Sequence, residues 1–466
     1  MPNPVDSAPR QPGPIALPSD PEALPAPAST PTPTPLQRFH RRLAYSALAA
    51  LVIVSLVLVE HPPRIGRGDD ELFIPIEIDQ DYRPWPGLSR ARDERLDRYW
   101  TPTSPGVQHC AEWTRQDDGT VTAAFALPAA DPELTFLLSR APVHGRVRII
   151  EDEDSRVPFT VNVSASHEDP EKLAQLKACQ VHHHEYAEQG VMFWAPSEGN
   201  AEYDSDVRVD VILSVPRTSG GEEYRDLSTQ LSRFDHVVGE LFHFFSGTKF
   251  RTIRLRTRDA DMNFGSIIAD TAFIESMGGD TQGFVAIAGS GELDIRTSNG
   301  VINMTAMMFG WESPRNESRV DVWTSNGAIH ARIALVSDFP DNLLNARLHT
   351  SNAALSLQAR MMAENSTMRI DAETSNGPAS VLATDGFEGR YELRTSNADA
   401  RLDVNPNAYD PTGRGRERVV RKEEEGDSEK KGMIYWQDKD AAEVQEGSDS
   451  GLVRVRTSNG PVVLQV

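Results

Sequence analysis

The chain has 466 residues and a formal net charge of −22, and this length is enough for two or three domains. Its composition, 39% hydrophobic and 25% charged, is that of an ordinary globular protein. Acidic residues outnumber Lys and Arg by 69 to 47, whereas binding of a phosphate backbone depends on clustered positive charge. We therefore exclude nucleic acid as a partner.

The N-terminal region predicts a membrane anchor. Residues 1–42 are rich in Pro, Ala, Ser and Thr, a composition typical of a disordered tail. Residues 43–59 are uncharged and would extend ~25 Å as a helix, near the minimum for crossing a bilayer. A buried core helix and a cleaved signal peptide are the alternatives. The segment has no periodic polar face, which disfavours the first. Pro62 and Pro63 follow it instead of the small residues of a cleavage site, which disfavours the second.

The charges beside this segment predict its orientation. Arg38, Arg41 and Arg42 precede it, while Asp69 and Asp70 follow it. Because positively charged flanks stay on the cytosolic side, we expect a single-pass type II membrane protein with a cytosolic N-terminus. The membrane is then a partner, and the bulk of the chain is lumenal or extracellular.

Features of an oxidising, glycosylating compartment follow the segment. Sequons for N-glycosylation occur at Asn162, Asn303, Asn316 and Asn365. The two cysteines, Cys110 and Cys179, predict a disulfide bond in such a compartment, with two unpaired buried thiols as the alternative.

Three parts lie between the predicted anchor and the C-terminal half. Residues 60–105 are polar and punctuated by proline, which indicates a stalk. Residues 106–220 contain short alternating segments separated by turn residues, which predict a small β-sandwich-like module. Apolar residues in 221–249, such as Leu227 and Leu231, recur in steps of four and three, which predicts an amphipathic capping helix.

A tripeptide, Thr-Ser-Asn, recurs six times in the C-terminal half. Its asparagines are Asn299, Asn326, Asn352, Asn376, Asn397 and Asn459. The positions four and six before each Asn, and three and five after it, are apolar, and the positions between are polar with the exception of Trp323. This alternation predicts a strand with one buried face on each side of the motif. Gly follows the Asn except at Ala353 and Ala398, so we expect a turn with positive φ that differs at those two corners.

Two architectures fit this pattern. In a β-solenoid each unit is one coil, the coils stack ~4.8 Å apart, and the Asn side chains form a ladder of amide hydrogen bonds. In the alternative, each Asn-Gly step closes a β-hairpin. Spacings of 27, 26, 24 and 21 residues around a fixed corner favour the solenoid. We expect about eight coils in residues 250–466, with a charged insertion at 405–449 that lengthens the last spacing to 62.

The unit apolar-x-apolar-x-Thr-Ser-Asn-Gly-x-apolar-x-apolar resembles that of an adhesin-like β-solenoid family found in bacterial and fungal surface proteins. The resemblance covers residues 250–466, and the β-rich region before them is similar to that of fungal members. It implies a β-solenoid fold and a surface role, and it implies little about chemistry. The whole chain is then expected to be all-β, apart from the one N-terminal transmembrane helix.

No motif in the sequence predicts catalysis or a cofactor. The run His182-His183-His184-Glu185 lacks the ligand spacing of a zinc helix, so we expect a polar loop and no metal. The outward rows bring Asp294, Asp321 and Asp371 to one face. Carboxylates on adjacent coils could perform acid–base catalysis, but stacked charges also solvate an ordinary sheet face.

We therefore expect a membrane-anchored, adhesin-like β-solenoid that acts as a binding or structural scaffold without catalysis. Its ligand would be a glycan or a cell-surface protein, contacted by the outward rows or by the 405–449 insertion. Trp323 and His349 on adjacent coils could stack on a sugar ring. The alternative is a carbohydrate-active enzyme with a pectin-lyase-like fold, and a purely structural role is a third reading.

Overall fold

Strands make up almost all of the regular structure. The computed structural model describes residues 96, 98–99, 101–127, 132–152, 158–196, 207–217, 223–243, 246–310, 317–337, 339–362, 366–384, 386–438 and 451–466. The strands are β1 Val107–Cys110, β2 Thr114–Arg115, β3 Val121–Ala126, β4 Leu134–Ser139, β5 His144–Asp152, β6 Thr160–Ser166, β7 Lys177–His183, β8 Glu188–Trp194, β9 Arg208–Pro216, β10 Glu223–Gln230, β11 Phe234–Glu240, β12 Phe242–His243, β13 Ser246–Gly247, β14 Lys249–Arg256, β15 Met262–Glu275, β16 Thr281–Arg296, β17 Ile302–Phe309, β18 Glu317–Trp323, β19 Ile329–Val336, β20 Leu343–Thr350, β21 Leu355–Met361, β22 Thr367–Thr374, β23 Ala379–Ala383, β24 Gly389–Arg394, β25 Ala400–Asp403, β26 Glu417–Glu425, β27 Glu429–Gln437, β28 Gly451–Thr457 and β29 Val462–Gln465. A helix, α1, covers Pro170–Gln175, and a 3-10 helix covers His184–Tyr186. The protein is thus nearly all β, as the sequence predicts.

The predicted membrane anchor lies outside the described residues. The tail at 1–42, the transmembrane segment at 43–59 and most of the stalk at 60–105 are not among the described residues. None of the helices in the described ranges is long and apolar enough to cross a membrane.

One 27-stranded sheet contains two long parallel ladders. In each repeat, the strand before the Thr-Ser-Asn corner belongs to the first ladder, and the strand after it belongs to the second. The parallel order of the first ladder is β8, β4, β10, β14, β15, β16, β18, β20, β22, β28, β24. The order of the second is β9, β5, β11, β15, β16, β17, β19, β21, β23, β29, β25. Strands β15 and β16 are long because each runs from the second ladder of one unit into the first ladder of the next.

Equivalent residues of successive units stack in register. Val322, for example, lies beside Ile295 on one side and Leu348 on the other. Inward side chains of both ladders form one continuous hydrophobic core. Among the described strands, no antiparallel pair closes at a Thr-Ser-Asn corner, so the hairpin alternative is wrong. Alternation alone cannot exclude it, because residues equidistant from a turn share a face in both arrangements.

The region predicted as a separate sandwich, 106–220, continues both ladders. Its strands β4 and β8 extend the first ladder, while β5 and β9 extend the second. Antiparallel strands then flank the N-terminal ends, with β7 beside β8 and β6 beside β9. Alternation predicts such strands correctly, but it does not reveal pairing partners that lie far away along the chain.

The capping helix predicted for 221–249 is wrong, because this region forms β10 and β11 together with the short β12–β13 pair. A step of four residues in the apolar pattern equals two strand periods. The inward positions between the apolar residues carry Thr229 and His236, which are polar but fully buried. His236 Nδ1 donates to the Phe234 carbonyl at 2.9 Å, and Nε2 accepts from the Thr229 hydroxyl at 2.8 Å. These bonds allow the strands to bury both polar side chains.

The end of the predicted stalk packs on the sheet. Tyr99 is fully buried and stacks on Phe136, with ring centroids 5.3 Å apart, and its hydroxyl donates to Glu188 Oε2 at 2.7 Å. The pKa of Tyr99 is raised because the hydroxyl is buried and bound to the Glu188 carboxylate. With Leu96, Tyr99 belongs to a second, smaller hydrophobic cluster that includes residues of β4 and β8.

The last unit in sequence is not the last in space. Strand β28 lies between β22 and β24, and β29 lies between β23 and β25. The unit of Asn459 is therefore inserted between those of Asn376 and Asn397. The described part of the 405–449 insertion forms the hairpin β26–β27, and β27 pairs antiparallel with β24. The insertion thus covers the edge of the first ladder instead of looping out of a coil, and a covered edge resists pairing with other chains.

Burial of His236 makes stability depend on pH. It lowers the pKa of His236 from 6.5 to about 4, so below pH 6.5 the unfolded chain binds a proton that the folded chain does not. The stabilisation is fully present above pH 6.5 and is lost as the pH falls through about 4. We expect His236→Gln, which cannot titrate, to remove ~3 kcal/mol of this pH dependence. Urea unfolding of both proteins above pH 6.5 and near pH 4 measures it, and equal losses in both would contradict the assignment.

Candidate functional site

Backbone hydrogen bonds hold each corner to the next. The carbonyl of the motif Ser accepts two N–H groups of the following unit. Ser298 O, for example, accepts from Ser325 N at 3.1 Å and from Asn326 N at 2.9 Å. Upstream, where the sequence does not contain the motif, the carbonyls of Ser232 and Arg258 each accept the same pair of hydrogen bonds. The line of corners is therefore longer than the line of Thr-Ser-Asn tripeptides.

The motif Thr supports the corner from inside the core. The buried residues are Thr297, Thr324, Thr350, Thr374, Thr395 and Thr457. Thr324 Oγ1 accepts the Gly327 N–H at 3.1 Å and donates to the Gly300 carbonyl at 3.4 Å. The hydroxyl thus joins its own corner to the preceding one, a role beyond the strand propensity that the sequence suggests.

The motif Gly is required by space and not by an unusual backbone. Neither the Asn nor the Gly of a described corner has positive φ, so that part of the sequence interpretation is wrong. A Cβ on Gly327 would lie 1.7 Å from the carbonyl oxygen of Gly300, because the stacked corners are in direct contact. At each described glycine corner, the Gly N–H donates a hydrogen bond to the hydroxyl of the motif Thr. Ala353 and Ala398 do not make this bond, so those two corners do differ.

The six Asn side chains form one line of amide hydrogen bonds along the outside of the corners. Five bonds join them, since every Asn after Asn299 donates from Nδ2 to the Oδ1 of the Asn before it in space, at 2.6 or 2.7 Å. The spatial order is Asn299, Asn326, Asn352, Asn376, Asn459 and Asn397. The ladder is continuous because the inserted last unit fills the place between the units of Asn376 and Asn397.

Asn326→Leu should lower the free energy of unfolding by about 1–3 kcal/mol, because the side chain makes two ladder bonds. Asn397→Leu is the matched control, since Asn397 stands at the end of the ladder and donates one such bond. It should cost about half as much. Chemical denaturation measures both, and an unchanged value for Asn326→Leu would show that the ladder adds no stability.

Outward residues of β16, β18 and β20 form a surface that we call the acidic–aromatic face. It consists of Glu292, Asp294, Arg296, Arg319, Asp321, Trp323 and His349. Asp294 and Asp321 are registered partners on adjacent strands, and each side chain is only 6% exposed. The strand spacing therefore places the backbones of these two residues ~5 Å apart, with both nearly buried carboxylates on the same side of the sheet.

Each of these carboxylates has an arginine partner. Arg296 donates to both oxygens of Asp294 at 2.8 and 2.7 Å, and Arg319 Nε donates to Asp321 Oδ2 at 2.8 Å. Asp321 Oδ1 is buried and makes no hydrogen bond to any described residue. A buried acceptor without a partner costs free energy, and because this oxygen is closed to solvent, a ligand would reach it only if the Asp321 side chain turned outward.

Burial also changes the acidity of this surface. It raises the pKa of Asp294, where the Arg296 guanidinium opposes the shift and the negative charges of Asp321 and Glu275 add to it. Burial likewise raises the pKa of Glu292. These two groups hold their protons to higher pH than a solvated carboxyl does.

An aromatic pair lies beside the carboxylates. Trp323 is 39% exposed, and its ring lies against that of His349 with centroids 4.8 Å apart. Trp323 and Asp321 are two residues apart in one strand and therefore point to the same side. An exposed aromatic ring next to carboxylate and guanidinium groups can bind a sugar, because the ring packs on the apolar face of the sugar while the charged groups bind its hydroxyls.

Asp371, the third outward carboxylate in the sequence pattern, does not join this face. Arg347 lies between Asp321 and Asp371 in the register of the strands. Asp371 instead binds Arg456 at 3.0 Å in a charged network farther along the ladder. Sequence reasoning also missed Glu292 and Arg319, which stand seven residues before their corner Asn. Extending the alternation by one more step would have found them.

The disulfide and glycosylation residues lie elsewhere on the sheet. Cys110 and Cys179 are registered partners on β1 and β7, and they form a disulfide bond. Asn162 and Asn303 are exposed on β6 and β17. The other two predicted glycosylation sites, Asn316 and Asn365, lie outside the described residues.

The histidine run is at the end of β7. The rings of His182 and His184 have centroids 4.0 Å apart. Burial lowers the pKa of His182, and the neighbouring His184 and His183 lower it further. In the part of the chain that the structure describes, no group of three or more His, Cys, Asp or Glu side chains is placed to hold a metal ion.

Comparison with known proteins finds distant structural similarity only. No protein-family model matches the chain, and no curated protein matches it. It is similar to a candidate cell adhesion protein from Clostridium sporogenes, with 8% identity, 74% of this chain and 98% of that chain covered, and a TM-score of 0.15. A candidate adhesin from Bacteroides fragilis has 6% identity and a TM-score of 0.28, with 76% of this chain and 100% of that chain covered. A candidate lipid binding protein from Parabacteroides distasonis has 13% identity and a TM-score of 0.24, with 58% of this chain and 92% of that chain covered. TM-scores this low carry no argument about function.

Proposed function

We propose that the chain is a membrane-anchored, adhesin-like β-solenoid that binds a carbohydrate on its lumenal or extracellular side and performs no catalysis. The observation that carries the binding proposal is the acidic–aromatic face, where the exposed Trp323 ring packs on His349 beside two carboxylate–guanidinium pairs.

The solenoid and the anchor have separate support. Parallel, in-register pairing of equivalent strands in successive units is the arrangement that stacked coils make. Membrane anchoring rests on the uncharged residues 43–59 and on the positive charges that precede them.

The charges of the acidic–aromatic face favour a neutral sugar as ligand. Its three carboxylates and two guanidinium groups nearly balance, so a phosphate or sulfate gains little there. A sugar hydroxyl is both a donor and an acceptor, and it can bind a carboxylate and a guanidinium group at the same time. An aromatic ring on the same face supplies the apolar contact.

A carbohydrate-active enzyme on the same face is the second candidate. The raised pKa of Asp294 favours it, because a retaining glycosidase pairs a general acid of raised pKa with a second carboxylate close by, and Asp321 is the registered neighbour of Asp294. The contact of Arg296 with both oxygens of Asp294 weighs against it, because a paired guanidinium group stabilises the ionised form. We therefore favour binding over catalysis.

Trp323→Ala should weaken glycan binding at least about tenfold, which corresponds to ~1.4 kcal/mol, because it removes the ring on which the sugar packs. A glycan array finds the ligand, and titration of the purified protein measures the affinity. The matched control is Tyr409→Ala, which removes a 70% exposed ring in the 405–449 insertion and should leave the affinity unchanged. Unchanged affinity after Trp323→Ala, or no binding to any glycan, would contradict the proposal. Sugar release that Asp294→Asn abolishes would establish the enzyme instead.

Glycosidase treatment of the chain from eukaryotic cells should lower its apparent mass, because the sequons follow the predicted anchor. The shift should be smaller in Asn303→Gln, which removes one acceptor at an exposed position. Gel electrophoresis before and after treatment measures both shifts. No shift in the unmodified chain would overturn the lumenal placement.

A further inference from the structure

A groove on the outer side of β3, β6 and β9 surrounds one of the glycosylation sequons. Its volume is ≈ 420 Å³. The acceptor Asn162 lies in its lining, in the middle of β6, and is exposed. The groove is lined by the same outward row of the sheet that carries the sequon Ser164.

The cross-strand neighbours of Asn162 are small or apolar. Ala124 on β3 and Ile212 on β9 are its registered partners on the two sides. Registered side chains on one face lie ~5 Å apart, so a group attached to Asn162 is in reach of both neighbours. A sugar bonded to Asn162 Nδ2 would therefore find an apolar wall at Ile212 and free space above Ala124.

Polar groups form the next row of the groove. Ser164 lies between Thr122 on β3 and Asp210 on β9. Two hydroxyls and one carboxylate thus stand one row away from the apolar pair, within reach of the hydroxyl and acetamido groups of an attached sugar. The two rows together match an N-acetylhexosamine, which has one apolar face and a polar rim.

The other described sequon lacks this environment. Asn303 is the second residue of β17 and also faces outward, but its registered partners are Gln282 and His330. Both partners are exposed and polar. No small side chain beside Asn303 leaves room for a ring, so the two acceptors form a matched pair that differs in its surroundings.

We propose that the groove is the seat of the N-linked glycan on Asn162. The first N-acetylglucosamine packs on Ile212 above Ala124, and its polar groups bind Ser164 and Asp210. The glycan is then part of the folded surface instead of a mobile chain. This inference rests on the proposed function, because only a lumenal or extracellular domain receives such a glycan.

Native deglycosylation tests the seat. The full chain is expressed in a eukaryotic secretory host and treated, still folded, with an amidase that cleaves the Asn–sugar bond. Mass spectrometry of peptides follows release at each Asn. We expect release at Asn162 to be at least about tenfold slower than at Asn303, because a packed glycan must first leave the groove. In the denatured chain the two rates should be equal.

Two outward variants separate the seat from a general effect of folding. Ile212→Ser removes the apolar wall and should bring the native release rate at Asn162 close to that at Asn303. His330→Ser, the matched change beside Asn303, should alter neither rate. Equal native rates in the unmodified chain, or no acceleration by Ile212→Ser, would overturn the seat and leave the lumenal placement intact. An unglycosylated Asn162 beside a glycosylated Asn303 would also overturn the seat alone. Absence of glycan at both would overturn the seat together with the proposed function.

Discussion

Direct contact between stacked corners is the constraint on which the rest of the structure depends. A Ser carbonyl binds two N–H groups of the next corner, a buried Thr hydroxyl binds the preceding one, and an Asn amide continues the line outside. At the four glycine corners the carbonyl of the preceding corner is so close that no Cβ fits above it. Four groups of one corner thus fix the spacing between units, and the variation in repeat length is confined to the segments away from the corner.

The fixed register has consequences for the outward face and for the ends. Because equivalent positions stack, Asp294 must lie beside Asp321 and Trp323 beside His349, although the repeat itself does not specify these residue types. The ligand contacts that we propose are therefore made by residues that do not repeat. At the ends of the ladders, antiparallel strands cover the edge strands that parallel stacking leaves unpaired. Strands β7 and β6 do so at one end, and β27 does so for the first ladder at the other end.

Sequence alone predicts the strands, their inward faces and the line of Asn side chains, because alternation and a repeated tripeptide report burial and turns directly. It does not predict which strands pair with each other. Nothing in the alternation of β28 distinguishes a place after β24 from a place before it. Sequence reasoning also fails where buried polar residues bind each other, as Thr229 and His236 do. Polar residues at inward positions break the apolar alternation by which a strand is recognised. The alternation is enough to predict part of the acidic–aromatic face, but it does not predict that Asp321 Oδ1 makes no hydrogen bond, because this depends on side-chain geometry.

The order of the units is the most direct test of this account. Ser380 lies beside Val463, and Val463 lies beside Arg401, so the last unit separates the two that surround it. Mild oxidation of a chain carrying Ser380→Cys and Val463→Cys should produce a disulfide bond that peptide mass spectrometry detects. A chain carrying Ser380→Cys and Arg401→Cys should produce none, because β29 lies between the two positions. Cross-linking of the second pair and not the first would show that the units stack in sequence order, and it would contradict the continuous corner ladder described above.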